Sequence, residues 1–198
     1  MTNSLPSLRR GPATRAQKET FIVFLERGLP EAYLQWVKTA LGHHQITERY
    51  PEVGEPPVDQ VRRAVRAGRD ARAKGSEFDH LWCWFEGMSQ SGLHQLRASS
   101  TRRVGLAASD PGIELWLLLH FQEMPNDVDS AGISGALQTH LSDPERDVVE
   151  GALEGRFAVA AERARRLGTV GASTNLYDFV ERVIASFTAF DPGGKHRI

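Results

Sequence analysis

At 198 residues, 40% hydrophobic and 25% charged, the chain has ordinary globular composition and the length for one domain with a full core. A formal net charge of -1 excludes a global basic field of the kind that announces nucleic acid, and the single cysteine, Cys83, excludes a disulfide frame or a cysteine zinc site and fits a reducing cytoplasm. No apolar run reaches membrane-spanning length and no apolar signal core opens the chain, so a soluble cytoplasmic protein without a membrane partner is expected.

Residues 1–20 are polar and basic, with Arg9, Arg10, Arg15 and Lys18, and read as a flexible arm. Phe21 to Leu25 is a continuous β-branched and aromatic run, the pattern of a strand buried on both faces, and Glu26 stands at its carboxyl end. Pro30 and Glu31 open a helix with Tyr33, Leu34, Trp36, Val37 and Leu41 at helical spacing. Residues 42–57 hold His43, His44 and several proline and glycine residues and read as a loop. Residues 58–74 read as a helix on which Arg62, Arg66 and Arg69 recur on one face; either a solvated face or one that tracks phosphates has this pattern.

Leu81 to Phe85 is a second strand run and again ends on a carboxylate, Glu86. Ser91 to Arg97 can form a short helix, and Val104 to Ala108 is a third strand. It leads into Ser109-Asp110-Pro111-Gly112, where Asp is read as an N-cap and Pro as the first helical residue. The block from Ile113 to Phe121 is apolar nearly all round, so it reads as a buried helix carrying Glu114 in its first turn and His120 near its end. Three carboxylates, Glu26, Glu86 and Glu114, thus follow three strands, at the edge where open α/β sheets bind ligands. Carboxylates converging there suit a hard divalent ion, Mg²⁺ or Mn²⁺. A polar linker at 125–129 is followed by helices over 130–141 and 143–166, a break at Gly168 to Gly171, and a last helix capped by Ser173-Thr174. The expected fold is α/β, a mainly parallel sheet flanked by helices, divided as arm (1–20), α/β core (21–125) and helical C-terminal region packed on the core (126–198).

Three segments resemble the RloB-like family of bacterial and archaeal proteins, which is linked to abortive phage infection and restriction-modification gene clusters. Glu26-Arg27-Gly28-Leu29-Pro30-Glu31-Ala32-Tyr33 is similar to that family's Glu-Gly-x-x-Thr-Glu-x-x-Tyr segment. Ser109 to His120 resembles its Ser-Asn-Pro-x-Phe-Glu-x-Trp-x-x-x-His signature, and Ser173-Thr174-Asn175 its closing Pro-Ser-Thr segment. The resemblance implies a Toprim-like fold, in which a glutamate after the first strand and an Asp-x-Asp after a later one hold Mg²⁺ for phosphodiester chemistry. It puts Glu26 at the glutamate position and Glu86 at the first aspartate. The second aspartate falls on Met88, Arg27 replaces a glycine, Leu29-Pro30 replace Lys-Thr, and Asp110 stands where Asn is usual. Glu31, Ser109, Asp110 and His120 fall on further motif positions.

Two functions remain open at this point. One is a metal-dependent nuclease with Glu26, Glu86 and Glu114 as catalytic ligands and Arg62, Arg66 and Arg69 on the nucleic acid. The other is a catalytically degenerate subunit that binds a partner ATPase or senses a phage component.

Overall fold

The computed structural model describes residues 19–42, 45–99, 103–124, 129–167, 171–190 and 198. Most of the basic arm (residues 1–18), the His43-His44 pair, residues 125–128 of the linker and residues 168–170 of the break lie outside the described residues.

Apolar runs punctuated by glycine, proline and carboxylates fold here as alternating strands and helices. In chain order they are β1 (Phe21–Phe24), α1 (Leu29–Leu41), β2 (Ile46–Arg49), α2 (Pro57–Ala73), β3 (His80–Glu86), α3 (Gln90–Ser99), β4 (Val104–Asp110) and α4 (Ile113–Leu119). Then follow α5 (Ser130–Gln138), α6 (Pro144–Val149), α7 (Phe157–Arg166), β5 (Ser173–Thr174) and α8 (Leu176–Phe190). The sheet runs β2-β1-β3-β4-β5, parallel throughout except for β5 against β4. The α/β architecture expected from the sequence is therefore present.

Alternate side chains of β1 enter different cores, as the two-residue period of a strand requires. Phe21 and Val23 join one core with Tyr33 and Trp36 of α1, Trp116 of α4, Val148 of α6, Phe157 of α7 and Phe179 of α8. Ile22 and Phe24 join the other with Val61 and Ala64 of α2 and Leu93 and Leu96 of α3. Trp82 and Trp84 of β3 both pack against Phe179, with ring centroids 5.3 and 6.5 Å away.

Four local expectations are corrected. The loop read over 42–57 contains β2, whose Ile-Thr-Glu-Arg sequence carries no strand-like apolar run because it is a short, half-exposed edge. The helix read over 143–166 is two helices, since Gly151 and Gly155 take φ of 99° and 72° and end the first of them. Ser173-Thr174 is primarily strand β5, although the Thr174 hydroxyl also accepts the Leu176 N–H at 3.3 Å. Pro111 is not the first residue of α4: its bond to Asp110 is cis, Gly112 occupies the N-cap position, and no side chain caps the helix.

Gly105 in β4 has a packing reason. A Cβ built there would stand 2.4 to 2.6 Å from three ring atoms of Trp82. Gly105→Ala is expected to destabilise the protein by about 1–3 kcal/mol through overpacking. Chemical denaturation checks this, and pairing it with Trp82→Leu should recover part of the loss.

Candidate carboxylate site at the sheet edge

β1 has β2 on one side and β3 on the other, so chain order runs outward from it in both directions. Such a reversal leaves a crevice outside the carboxyl ends of the two strands that flank it, here β1 and β3. Phe24 lies opposite Cys83, so Glu26 and Glu86, each just beyond that level, come to the same edge.

Glu86 is the best-anchored of the carboxylates. Its Oε1 accepts the indole N–H of Trp84 at 2.7 Å, and its Oε2 accepts the backbone N–H of Ile113 at 2.6 Å. The carboxylate therefore ties the end of β3 to the first residue of α4. Burial pushes its pKa up, to about 7 from the usual 4.5; the two N–H donors oppose this, and the negative charges of Glu114 and Glu26 add to it. Perturbed carboxylates at a cleft mark candidate sites.

The turn from Ser109 to Ile113 holds the second carboxylate. Ser109 is fully buried in β4 opposite Glu86, and its hydroxyl donates to the Gly112 carbonyl at 2.7 Å. The Gly87 N–H donates to the Ser109 carbonyl at 2.8 Å. Asp110, half-buried, ends β4 opposite Ser173. Behind the turn Asn175 completes the sheet edge: its Oδ1 accepts the Ala108 N–H at 2.7 Å and its Nδ2 donates to the Leu106 carbonyl at 3.0 Å.

Glu114, half-buried in the first turn of α4, points back over this turn. A Cβ built on Gly112 would lie 2.7 Å from Glu114 Oε2 and 3.5 Å from Glu86 Oε2. The absent side chain of Gly112 thus leaves a small cradle between two carboxylates. Oxygen ligands of this type fit a hard divalent cation, and Mg²⁺ is commonly held by one or two carboxylates with the rest of its shell supplied by water and phosphate. Among the described residues no three His, Cys, Asp or Glu side chains gather as a metal-binding group. Glu86 and Glu114 face each other across Gly112; Glu26 acts on Glu86 through its charge, but the three do not gather as one ligand group.

Glu26 is exposed and lines an open cleft of about 510 Å³ with Arg27, Tyr50 and the 51–54 loop. The Arg27 guanidinium lies 3.7 Å over the Tyr50 ring, and the Tyr50 hydroxyl donates to Glu31 Oε1 at 2.6 Å. That hydrogen bond raises the Tyr50 pKa. Glu31 therefore fixes the wall of the cleft. Tyr50 is a site residue that the sequence reading missed, because it follows the unrecognised strand β2. Trp84 had a readable signal, since Trp84-x-Glu86 puts both side chains on one face of a strand.

Other expected site residues lie elsewhere. Met88, where the resemblance would put the second acid, is half-buried and packs against the core under α2 and α3. His120 is 2% exposed between α1 and α4, 4.8 Å from Trp116 and 6.1 Å from Tyr33 between ring centroids. Its Nδ1–H donates to the Trp116 carbonyl at 2.9 Å, and burial pushes its pKa down to about 4. Arg62 pairs with Asp59 at 2.9 Å near the carboxylate end of α2, Arg66 is exposed, and Arg69 lies toward the opposite edge of the sheet.

A family model described as RloB-like protein matches residues 27–188. The chain belongs to the RloB-like family. Comparison with curated proteins and with solved structures returned no match. The matched span takes in Glu31, Glu86, the whole of Ser109 to His120 and Ser173 to Asn175, and begins one residue after Glu26. In this RloB-like chain the middle signature is the turn and helix that Glu86, Ser109 and Asn175 hold in place. No helix of the described residues is long and apolar enough to cross a membrane.

Proposed function

We propose that this RloB-like chain is a cytoplasmic anti-phage defence protein, a metal-dependent nuclease of the Toprim type. The observation that carries the reading is the pairing of Glu86 and Glu114 across Gly112, with Glu26 beside them at the reversal of strand order. Glu86 and Glu114 would hold Mg²⁺ or Mn²⁺. An ion held there would supply positive charge against a phosphate and the leaving oxygen of a broken phosphodiester bond. Glu26, exposed in its cleft, accepts the proton of the attacking water at its carboxylate. Ser109 and Asp110 shape the turn, and Arg62, Arg66 and Arg69 bind phosphates.

The test uses purified chain, Mn²⁺, and plasmid, single-stranded DNA and tRNA as substrates. Cleavage is expected, with Glu114→Gln lowering it at least about 100-fold. Mn²⁺ is also expected to raise the melting temperature of the wild type and not of Glu114→Gln. No cleavage above the variant, together with no Mn²⁺-dependent stabilisation, overturns the proposal.

A second reading has its own support. Met88 is half-buried against the core, and both oxygens of Glu86 are engaged by N–H donors. These favour a non-catalytic subunit that binds an ATPase partner or senses a phage component, in which Glu86 serves as a structural clip. A wild type indifferent to Mn²⁺ selects this reading.

A further inference from the structure

At the opposite edge of the sheet, where α2 ends and β3 and β4 begin, a hollow of about 130 Å³ opens to solvent. Val65, Phe78 and Leu81 form its apolar wall. Gly68 also lines it, and a Cβ there would stand 2.9 Å from Leu81 Cδ1, so the glycine keeps α2 close to β3 beneath the hollow.

Its rim is cationic. Arg69, Arg72 and Arg103 line it against a single carboxylate, Glu77. Arg72 pairs with that carboxylate. Arg69 and Arg103, both exposed, have no carboxylate in ion-pair range among the described residues. The hollow therefore combines a small apolar floor with two guanidinium groups available to an anion.

We propose that this hollow binds a nucleoside phosphate, with the base against Phe78, Val65 and Leu81 and the phosphate on Arg69 and Arg103. Three physical arguments select that ligand. Drug-sized sites run to roughly 300–1,000 Å³, so this one takes a single flat ring system. Apolar and aromatic walls accept a base by stacking without reading its edge. Guanidinium groups suit phosphate through paired N–H donors.

The site is separate from the carboxylate edge. α2 is 17 residues long, so it spans about 25 Å between the two ends of the sheet. Arg62 and Arg66 lie on α2 between the carboxylates and the hollow, so a nucleotide held there is either a free effector or one unit of a strand lying along the helix. The proposal deepens the nucleic-acid reading but rests on the hollow alone, and it is measured without cleavage, so the two can fail separately.

The test is equilibrium binding of a fluorescent AMP analogue to the full chain in EDTA. Saturable binding is expected, displaced by unlabelled AMP and, at higher concentration, by inorganic phosphate. The double variant Arg69→Ala/Arg103→Ala should weaken it by at least about tenfold. Val65→Phe, which fills the floor and keeps every charge, should weaken it as well. Arg166→Glu on α7 serves as the control for altered surface charge and should leave it unchanged. Displacement by a short single-stranded oligonucleotide assigns the nucleotide to a strand, and failure of the oligonucleotide to displace AMP assigns it to a free effector. No saturable binding to the wild type, or wild-type affinity in both the double variant and Val65→Phe, overturns the proposal.

Discussion

In Glu86→Gln, stability is expected to fall by roughly 3 kcal/mol as pH is lowered from 6.5 to 4, whereas the wild type should stay nearly level over the same range as far as Glu86 and His120 set it. The reason is that these two buried groups shift in opposite directions. Glu86 titrates near pH 7 in the folded protein and near 4.5 when unfolded. Between those values the folded chain holds a proton that the unfolded chain has released, so this group's contribution is full below 4.5 and is lost as pH rises through 7. His120 titrates near 4 when folded and near 6.5 when unfolded. Between those values the unfolded chain holds the extra proton, so its contribution is full above 6.5 and is lost as pH falls through 4. From pH 4.5 to 6.5 the two chains therefore bind the same number of protons at this pair, and the slopes cancel.

Removing either group should expose the other. Glu86→Gln leaves the histidine slope, and His120→Phe leaves the glutamate slope, with stability falling by roughly 3 kcal/mol as pH rises from 4.5 to 7. The comparison is made by chemical denaturation across pH in EDTA, reading each variant's curve minus the wild type's, so that other titrating groups drop out. Difference curves that are flat in both variants would refute the assignment.

Trp116→Ala should cost about 3–5 kcal/mol, a large part of the roughly 5–15 kcal/mol that holds a typical domain together. Trp116 is fully buried. Its ring meets Tyr33, His120 and Phe157 edge-on at centroid distances of 6.3, 4.8 and 6.0 Å. Truncation empties the junction of α1, α4 and α7, where three elements share one side chain. Trp116→Phe keeps most of that volume and should cost much less. The check is the denaturation midpoint of both variants. A Trp116→Ala protein within 1 kcal/mol of the wild type by about that measure would show that the junction collapses around the hole.

The parallel strands were readable because each is an apolar run that stops at a carboxylate or a turn. Phe21 to Leu25 followed by Glu26, and Leu81 to Phe85 followed by Glu86, carry the fold and half of the site in one pattern. β2 and β5 were not readable, for a shared reason. Both sit at the two outer edges of the sheet, are short, and are defined by pairing with distant residues rather than by their own hydrophobicity. Missing β2 also hid Tyr50, and with it the wall of the Glu26 cleft. The environment of Glu86 was equally hidden. Its partners Trp84 and Ile113 are two and 27 residues away, and only the near one leaves a local trace. His120 was visible as a polar residue in an apolar helix, but its position between α1 and α4 follows from packing alone.

Asn175 gives the molecule an order of assembly in time. Its side chain bonds two groups of β4 from 67 and 69 residues further along the chain, and beside it β5 covers Ser109 and Asp110. On the ribosome, β4 and the turn that carries Glu114 emerge long before the residues that close them. Until then the outer edge of β4 presents unpaired N–H and C=O groups, which invite pairing with another nascent chain. A product ending before Ser173 keeps all three carboxylates and leaves that edge open, so truncation should yield an aggregating chain rather than a smaller working one.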